Sequence, residues 1–536
     1  MSPTENRPDK HQQQHRSGLT GAFSSPTLYP GPINAPWRKP RITRVLLVRC
    51  VLVLASLLFL YFHYLHRLIF IDYSAFPRRT GPVIIHPGTD PEPTVPPFHL
   101  NSDYTTLSND TTTHYHNPTT HHSNQNSLID RAIDDLDERY QSVYIRPSTL
   151  SCRPSPETQA LLRTRFLDED GRPNRKHKIM IALNLHVSQE VLPVITNAVL
   201  NSLRYLGVEN VFVSIYENGS WDHTPEGLAH LGAVLTGLGV GHHIRSAKEE
   251  TIWLGVDRIE LLSAYRNLAL SPLHAADRHL NGLTEIIFIN DVFLCTQDIL
   301  EVIWERNFQN AHASCGTDWK ESQQLMGQYK YWPWNEKNTS VHKPQEKKSV
   351  YLYDSWVARS LSGRTLRPRL DLLGHMRDPY GVIFDQETDT RYRQRFRETL
   401  AVPVYSCWNG IVALSPEPFR GPQGLRFRAA DRAECPSSEC QLLAKDFWSL
   451  GLHRWIIVPK VAVTYSQDIY YSHALVNGSN RDHRPSSLPL QHTHLSPQAL
   501  SEKIFWDQYS RPNTVVCWPD LQEFYCMAKE CEPVES

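Results

Sequence analysis

Residues 178–216 read KIMIALNLHVSQEVLPVITNAVLNSLRYLGVENVFVSIY. KIMIALNL (178–185) is a short apolar run, too short for a buried helix and rich in β-formers, so it reads as a buried strand. VLPVITNAVLNSLRYLG (191–207) repeats its apolar residues with helical spacing and stops at a glycine, the usual residue for a left-handed helix end. VFVSIY (211–216) is again a strand. Strand, helix and strand within forty residues form the unit of a parallel α/β sheet.

The pattern continues on both sides. Thr224-Pro-Glu opens a helix running to about Leu238, with proline in its first turn. A further helix is expected over 258–270, a buried strand at TEIIFIN (284–290) and another at AHASC (311–315). Upstream, Leu128, Ala132, Ile133, Leu136 and Tyr140 share one helical stripe over 128–144. The polar stretch 316–350 reads as a loop. The expected fold class is therefore α/β, with a Rossmann-like sheet. No GxxxxGK[ST] loop, HExxH or GxSxG occurs, and no GxGxxG follows a strand. GLGVG (237–241) follows a helix and reads as its stop. Nicotinamide and P-loop chemistry are thereby disfavoured.

The rest of the chain has a different character. Residues 45–64, VLLVRCVLVLASLLFLYFHY, are long enough as a helix to span a bilayer, and Arg49 near one end can snorkel. Arg38, Lys39, Arg41 and Arg44 precede this run closely, so its N-terminal side should face the cytosol. The expected order is a disordered tail (1–41), a signal anchor (42–66), a Pro/Thr/His-rich stem (67–127) and a lumenal domain (128–536). His114, His116, His121 and His122 belong to the solvated stem. Lysine and arginine total 55 against 56 acidic residues, a balance that disfavours a nucleic-acid partner. The 10 cysteines include no paired CxxC units, which argues against structural zinc. In a lumenal domain disulfides become the expectation. Cys435 with Cys440 could close a short loop, and Cys517, Cys526 and Cys531 could supply another bridge. Asn109, Asn218, Asn338 and Asn477 begin glycosylation sequons.

Parallel sheets bind ligands beyond the carboxyl ends of their strands. Polar residues recur there: Asn184 and His186 after the first strand, Glu217 to Ser220 after the second, Asn290 and Asp291 after the third, and Asp318 after AHASC. An enzyme using a sugar nucleotide must stabilise a departing diphosphate, commonly with a divalent cation held by carboxylates. Asn290-Asp291-Val292 offers one carboxylate where such sites usually have two, and Asp318 is the candidate for the second.

IALNLH (181–186), IYENGSWDHT (215–224), FINDVFL (288–294), YDSWVAR (353–359), SCWNG (406–410) and SECQLLAKDFW (438–448), in this order, resemble the fungal capsule-associated mannosyltransferases, glycosyltransferase family 69. The resemblance covers about 150–470. It implies a GT-A-like fold with a mixed sheet, GDP-mannose as donor, and a glycan acceptor extended through an α-1,3 linkage. It also implies a type II Golgi membrane protein acting in capsule, cell-wall or glycoprotein glycan synthesis, with other glycosyltransferases as possible partners. On this resemblance Asp291, with Asp318, would hold Mn²⁺ or Mg²⁺ against the diphosphate, and Asn290 would orient it or touch the ribose. Asn184 and His186 would line the nucleotide pocket. Glu217 and Asp222 would bind nucleotide or order their loop. Trp408 and Asn409 would shape the sugar site. Glu439 and Asp446 are candidates for the carboxylate that handles the acceptor proton or stabilises the sugar cation. Arg359 would meet phosphate or cap a sheet edge. A glycoside hydrolase and a non-catalytic glycan-binding subunit are the rival readings.

Overall fold

A computed structural model describes residues 118–146, 154–174, 177–248, 257–275, 280–322, 349–366, 383–384, 389–420, 423–431, 434–472, 502–516 and 531–533. The expected anchor at 42–66, the expected cytosolic tail and most of the expected stem lie outside the described residues, as do Asn109, Asn338, Asn477, Cys517 and Cys526. Among the described residues no helix is long and apolar enough to cross a membrane.

The strand read from KIMIALNL is β1 (Ile179–Leu185), and it explains the layering. Ile179, Ile181, Leu183 and Leu185 face one apolar core, whereas Met180 and Ala182 face another. Alternate side chains of a strand point to opposite faces, so burial on both requires helices above and below the sheet. β1 pairs in parallel with β2 (Val211–Glu217) and β4 (Glu285–Ile289), and β2 pairs in parallel with β3 (Gly241–Ser246). The resulting order β3-β2-β1-β4 is half of a doubly wound nucleotide-binding sheet.

Beyond β4 the sheet becomes mixed. β5 (Ala313–Ser322), β6 (Ser349–Leu352), β7 (Arg359–Ser360), β8 (Val402–Ser406), β9 (Ile411–Leu414) and β10 (Trp455–Thr464) extend it in the order β4-β9-β5-β10-β8-β7, with β6 paired to β5. β9 runs antiparallel to both β4 and β5, while β5 and β10 are parallel. The C-terminal ends of β1, β2, β4, β5 and β10 therefore share one edge, and β9 begins there. A separate ladder pairs β11 (Thr514–Val516) with β12 (Cys531–Pro533).

The helices in chain order are α1 (Pro118–Ser142), α2 (Pro156–Phe166), α3 (Leu192–Leu206), α4 (Thr224–Gly237), α5 (Arg258–Ala269), α6 (Ser271–His274), α7 (Thr296–Phe308), α8 (Thr390–Arg397), α9 (Glu439–Ser449) and α10 (Gln467–Ser472). α3 ends at Gly207, whose φ of 84° a β-carbon would oppose. α1 starts at Pro118, inside the segment read as stem. Its buried stripe is Ile129, Ala132, Leu136 and Tyr140, with Ile129 in the place expected for Leu128. The expected loop at 316–350 is in part regular: it holds the second half of β5 and the start of β6. β3 was not legible because GHHIRS lacks the apolar run that marks its neighbours.

Two further expectations are corrected. Cys440 is a buried free thiol, so it does not bridge Cys435, which is disulfide-bonded elsewhere. One bridge joins Cys315 to Cys407, between β5 and the turn after β8, and Cys295 is disulfide-bonded as well. Asn218 is 2% exposed and accepts a hydrogen bond from Asn184, so the folded domain hides that sequon.

Candidate active site

The shared strand edge gathers four carboxylates: Asp291 after β4, Asp318 on β5, Asp354 after β6 and Glu439 opening α9. Asp318 is fully buried. Its Oδ1 accepts from Asn409 Nδ2 at 2.8 Å and from the Asp354 backbone N–H at 3.2 Å. Its Oδ2 is buried with no hydrogen-bond partner. A buried acceptor left without a donor is costly, and in native proteins it usually marks an ion, a water or a catalytic role. Burial, and then the Asp354 carboxylate beside it, push Asp318 up to about 7. Burial, and then Glu439, push Asp354 up to about 6.

Asp291 and Tyr465 combine two properties. Each keeps substantial contact with water, yet each is surrounded densely enough that burial raises its pKa. Residues of that kind face a cleft. The Tyr465 phenol is raised further by Asp318, Asp291 and Asp354, which places it among all three carboxylates. Arg266, His186 and Arg258 pull Asp291 back toward the ionised form.

The floor is built around Arg266 of α5. Its guanidinium lies 4.6 Å from the Trp408 ring centroid and 5.0 Å from that of Phe288, a cation–π arrangement. Arg266 Nε donates to Glu439 Oε1 at 2.9 Å, and Nη1 donates to Asn290 Oδ1 at 3.2 Å. Trp408 Nε1 donates to the same Asn290 oxygen at 3.0 Å, and Asn290 Nδ2 donates to Tyr465 Oη at 2.8 Å. The turn that carries Trp408 and Asn409 sits beside Asn290 because β9 pairs with β4, and Asn290 N–H donates to Gly410 O at 2.9 Å. Asn409 and Gly410 both have positive φ, 48° and 83°, where asparagine and glycine are favoured. A β-carbon on Gly410 would stand 2.6 Å from Val463 Cγ2.

Asp291, Asp318, Asn290, Trp408, Asn409 and Glu439 thus converge as the sequence suggested, but several roles change. Trp408 is 1% exposed and Arg266 stacks on it, so its ring is core and offers no face to a sugar. Both Glu439 oxygens are engaged, by Arg266 and by the Ser438 hydroxyl, so Glu439 positions Arg266 and is not placed to take an acceptor proton. Asp446 lies two turns further along α9, where the Arg428 guanidinium clamps it with two hydrogen bonds. It is a surface ion pair and not a catalytic group. Arg359 is buried on the edge strand β7 and donates to the carbonyls of Val516, Ser355 and Ala358, so it ties the sheet edge and does not meet phosphate.

At the β1–β2 end, Asn184 Nδ2 donates to Tyr216 O and Asn218 Oδ1. Glu217 is fully buried and accepts from the Ser220 backbone and hydroxyl. Asp222 accepts from the Gln189 and Thr224 backbone N–H groups. Glu217 and Asp222 therefore order their loop. His186 is close enough to both Glu217 and Asp291 to lower their pKa values. Arg266, Tyr465 and Tyr353 were missed: nothing local marks an arginine within a helix, or a tyrosine at a strand end, as part of a site. Asp354 sits within YDSWVAR, where its place beside Asp318 was not legible.

The carboxylate cluster at the carboxyl edge of this sheet lies within a stretch of chain that its family assigns to the glycosyltransferases. The family model described as Cryptococcal mannosyltransferase 1 matches residues 178–446, and the chain belongs to this family. Alpha-1,3-mannosyltransferase CMT1 of Cryptococcus neoformans var. neoformans serotype D is 27% identical over 361 residues, covering 65% of this chain and 70% of that protein. Among solved structures, S. aureus TarS 1–349 aligns with a TM-score of 0.29 at 10% identity, over 54% of this chain and 61% of its own. The mannosyltransferase PcManGT from Pyrobaculum calidifontis, solved in complex with GDP-Man and Mn²⁺, aligns with a TM-score of 0.27 at 9% identity, over 65% of this chain and 68% of its own.

Proposed function

We propose that this chain transfers mannose from GDP-mannose to a glycan acceptor, forming an α-1,3 linkage, in a GT-A-like site at the carboxyl edge of β1, β4, β5 and β10. The observation that carries the reading is Asp318: a fully buried carboxylate with one oxygen unpartnered, beside Asp354 and in the cluster that includes Asp291.

The donor set fits Mn²⁺ or Mg²⁺, since all three side chains offer hard oxygens. Among the described residues no three His, Cys, Asp or Glu side chains form a ready-made cage. That suits a cation bound through one or two carboxylates and completed by substrate phosphates and water. Asp318 and Asp354, whose carboxylates stand side by side, would hold the ion, with Asp291 near the same Tyr465 hydroxyl, and the ion would neutralise charge on the departing diphosphate. Asn184 and His186 border the nucleotide at the β1 end. Asn290 accepts from Arg266 and Trp408 and donates one amide N–H to Tyr465, so it holds the Tyr465 hydroxyl among the carboxylates.

The same reading places the chain in the Golgi membrane as a single-pass type II protein, with residues 42–66 as anchor and the domain from 118 onward in the lumen. The Cys315–Cys407 bridge supports it, because disulfides persist in oxidising compartments. The test is GDP release from GDP-mannose by the full-length chain in detergent, with and without Mn²⁺, set against Asp318→Asn. Cation-dependent release lost in the variant supports the proposal. No release from the wild type, with glycan binding retained, would identify a non-catalytic subunit.

A further inference from the structure

Two large rings stand in water at the mouth of the carboxylate cluster. Tyr353 is 41% exposed and Tyr465 36%. They meet edge to face with centroids 5.6 Å apart, and the Lys320 ammonium lies 4.5 Å from the Tyr353 centroid. The strand ladders fix their places. Trp319 pairs with Leu352 across β5–β6 and with Thr464 across β5–β10, so Tyr353 and Tyr465 follow directly on either side of β5. Tyr353 N–H donates to Asp318 O at 2.9 Å, and Tyr465 Oη accepts from Asn290. Tyr353 is thus tied to the site through its backbone and Tyr465 through its hydroxyl.

An exposed aromatic pair edged by a cation, a phenol and carboxylates has the chemistry of a pyranose subsite. A pyranose has a C–H face that packs on an aromatic ring and a rim of hydroxyls that need donors and acceptors. β10, which carries Tyr465, stands four strands along the sheet from β1, where Asn184 ends the nucleotide side, and Tyr353 follows β6 on the other flank of β5. The Tyr465 hydroxyl reaches in to Asn290 while both rings keep an exposed face, so a sugar nucleotide laid from β1 toward Asp318 leaves those exposed faces for the other reactant.

We propose that Tyr353 and Tyr465 form the platform that binds the acceptor's pyranose, an inference that rests on the transferase reading above. The platform fixes one acceptor ring against the cluster so that its hydroxyl meets the donor carbon. Tyr353 is the residue to change, because its side chain makes no hydrogen bond to the carboxylates or to Asn290.

The experiment uses the full-length chain in detergent, saturated with GDP, and saturation-transfer NMR with the methyl glycosides of mannose, galactose, glucose and xylose. GDP affinity is measured in parallel by calorimetry. The wild type should transfer saturation to the ring protons of at least one pyranoside. Tyr353→Ala should lose that signal and raise the acceptor KM about tenfold, the loss of one ring contact. Tyr353→Phe should retain both, and GDP affinity should be unchanged in all three proteins. A wild type that binds GDP but none of the pyranosides overturns the platform, as does Tyr353→Ala with wild-type signal. A wild type that binds no GDP overturns the donor reading and the platform with it.

Discussion

Arg266 Nε and Glu439 Oε1 lie 2.9 Å apart although 173 residues separate them in the chain, and their side chains are only 10% and 3% exposed. A buried pair of this kind gives little net stability by itself, but removing one partner strands the other charge, at a cost of about 3–5 kcal/mol. Arg266→Ala should therefore destabilise the domain by about that amount in denaturant unfolding. Glu439→Gln keeps an acceptor for Arg266 and should lose less. If Glu439→Gln abolishes turnover while stability and donor binding persist, Glu439 has a chemical role that its hydrogen bonds do not suggest.

The unpartnered Asp318 oxygen gives the opposite expectation for stability. An amide at that position removes a charge the fold buries at a cost, so Asp318→Asn should fold at least as stably as the wild type above neutral pH. Turnover should nevertheless fall about 10²-fold or more, the scale of losing a principal electrostatic group. Asp354→Asn should behave likewise, and a chelator should abolish wild-type turnover. Unfolding by Asp318→Asn would show that the carboxylate serves the core.

Cys315 and Cys407 join β5 to the turn that carries Trp408 and Asn409, across 92 residues of chain. The bridge restricts the unfolded state and holds Asn409 against Asp318. Replacing both cysteines by alanine should lower stability by about 2–5 kcal/mol and also reduce turnover. Calorimetry and a transfer assay on the same preparation would check both. A destabilised variant with full activity at low temperature would mean that the turn holds its place without the bridge.

Asp298, in the first turn of α7, accepts from the Cys295 N–H, yet burial pushes its carboxyl up to about 7. The folded state then holds a proton that the unfolded chain, with an ordinary carboxyl near 3.8, releases. Between these values stability should fall as pH rises, by up to about 1.4 kcal/mol per pH unit for one group. Asp298→Asn, which keeps the capping acceptor, should flatten that part of the profile. Unfolding midpoints measured from pH 5 to pH 8, in both proteins, decide it; equal slopes would refute the assignment.

Local chemistry was enough to read the strands β1, β2 and β4, the helices α3, α4 and α5, and the stop at Gly207, because hydrophobic period and helix-end residues act over a few positions. It also marked Asn290, Asp291 and Asp318 as candidates for a site, since polar residues after buried strands must lie at a sheet edge, whereas the SCWNG turn was marked only by the family resemblance. The mixed half of the sheet was not legible: β9 inserts between β4 and β5, and no short-range pattern states which strand will be its neighbour. For the same reason the sequence could not show that Arg266 would occupy the face of Trp408, that Glu439 would be spent on Arg266, or that Asp354 would stand beside Asp318. The elements and strand ends around β1, β2 and β4 were determined by the sequence alone. Which side chains stayed available for chemistry was decided by long-range pairing, because every hydrogen bond and ring face taken by a distant residue is one withdrawn from a ligand.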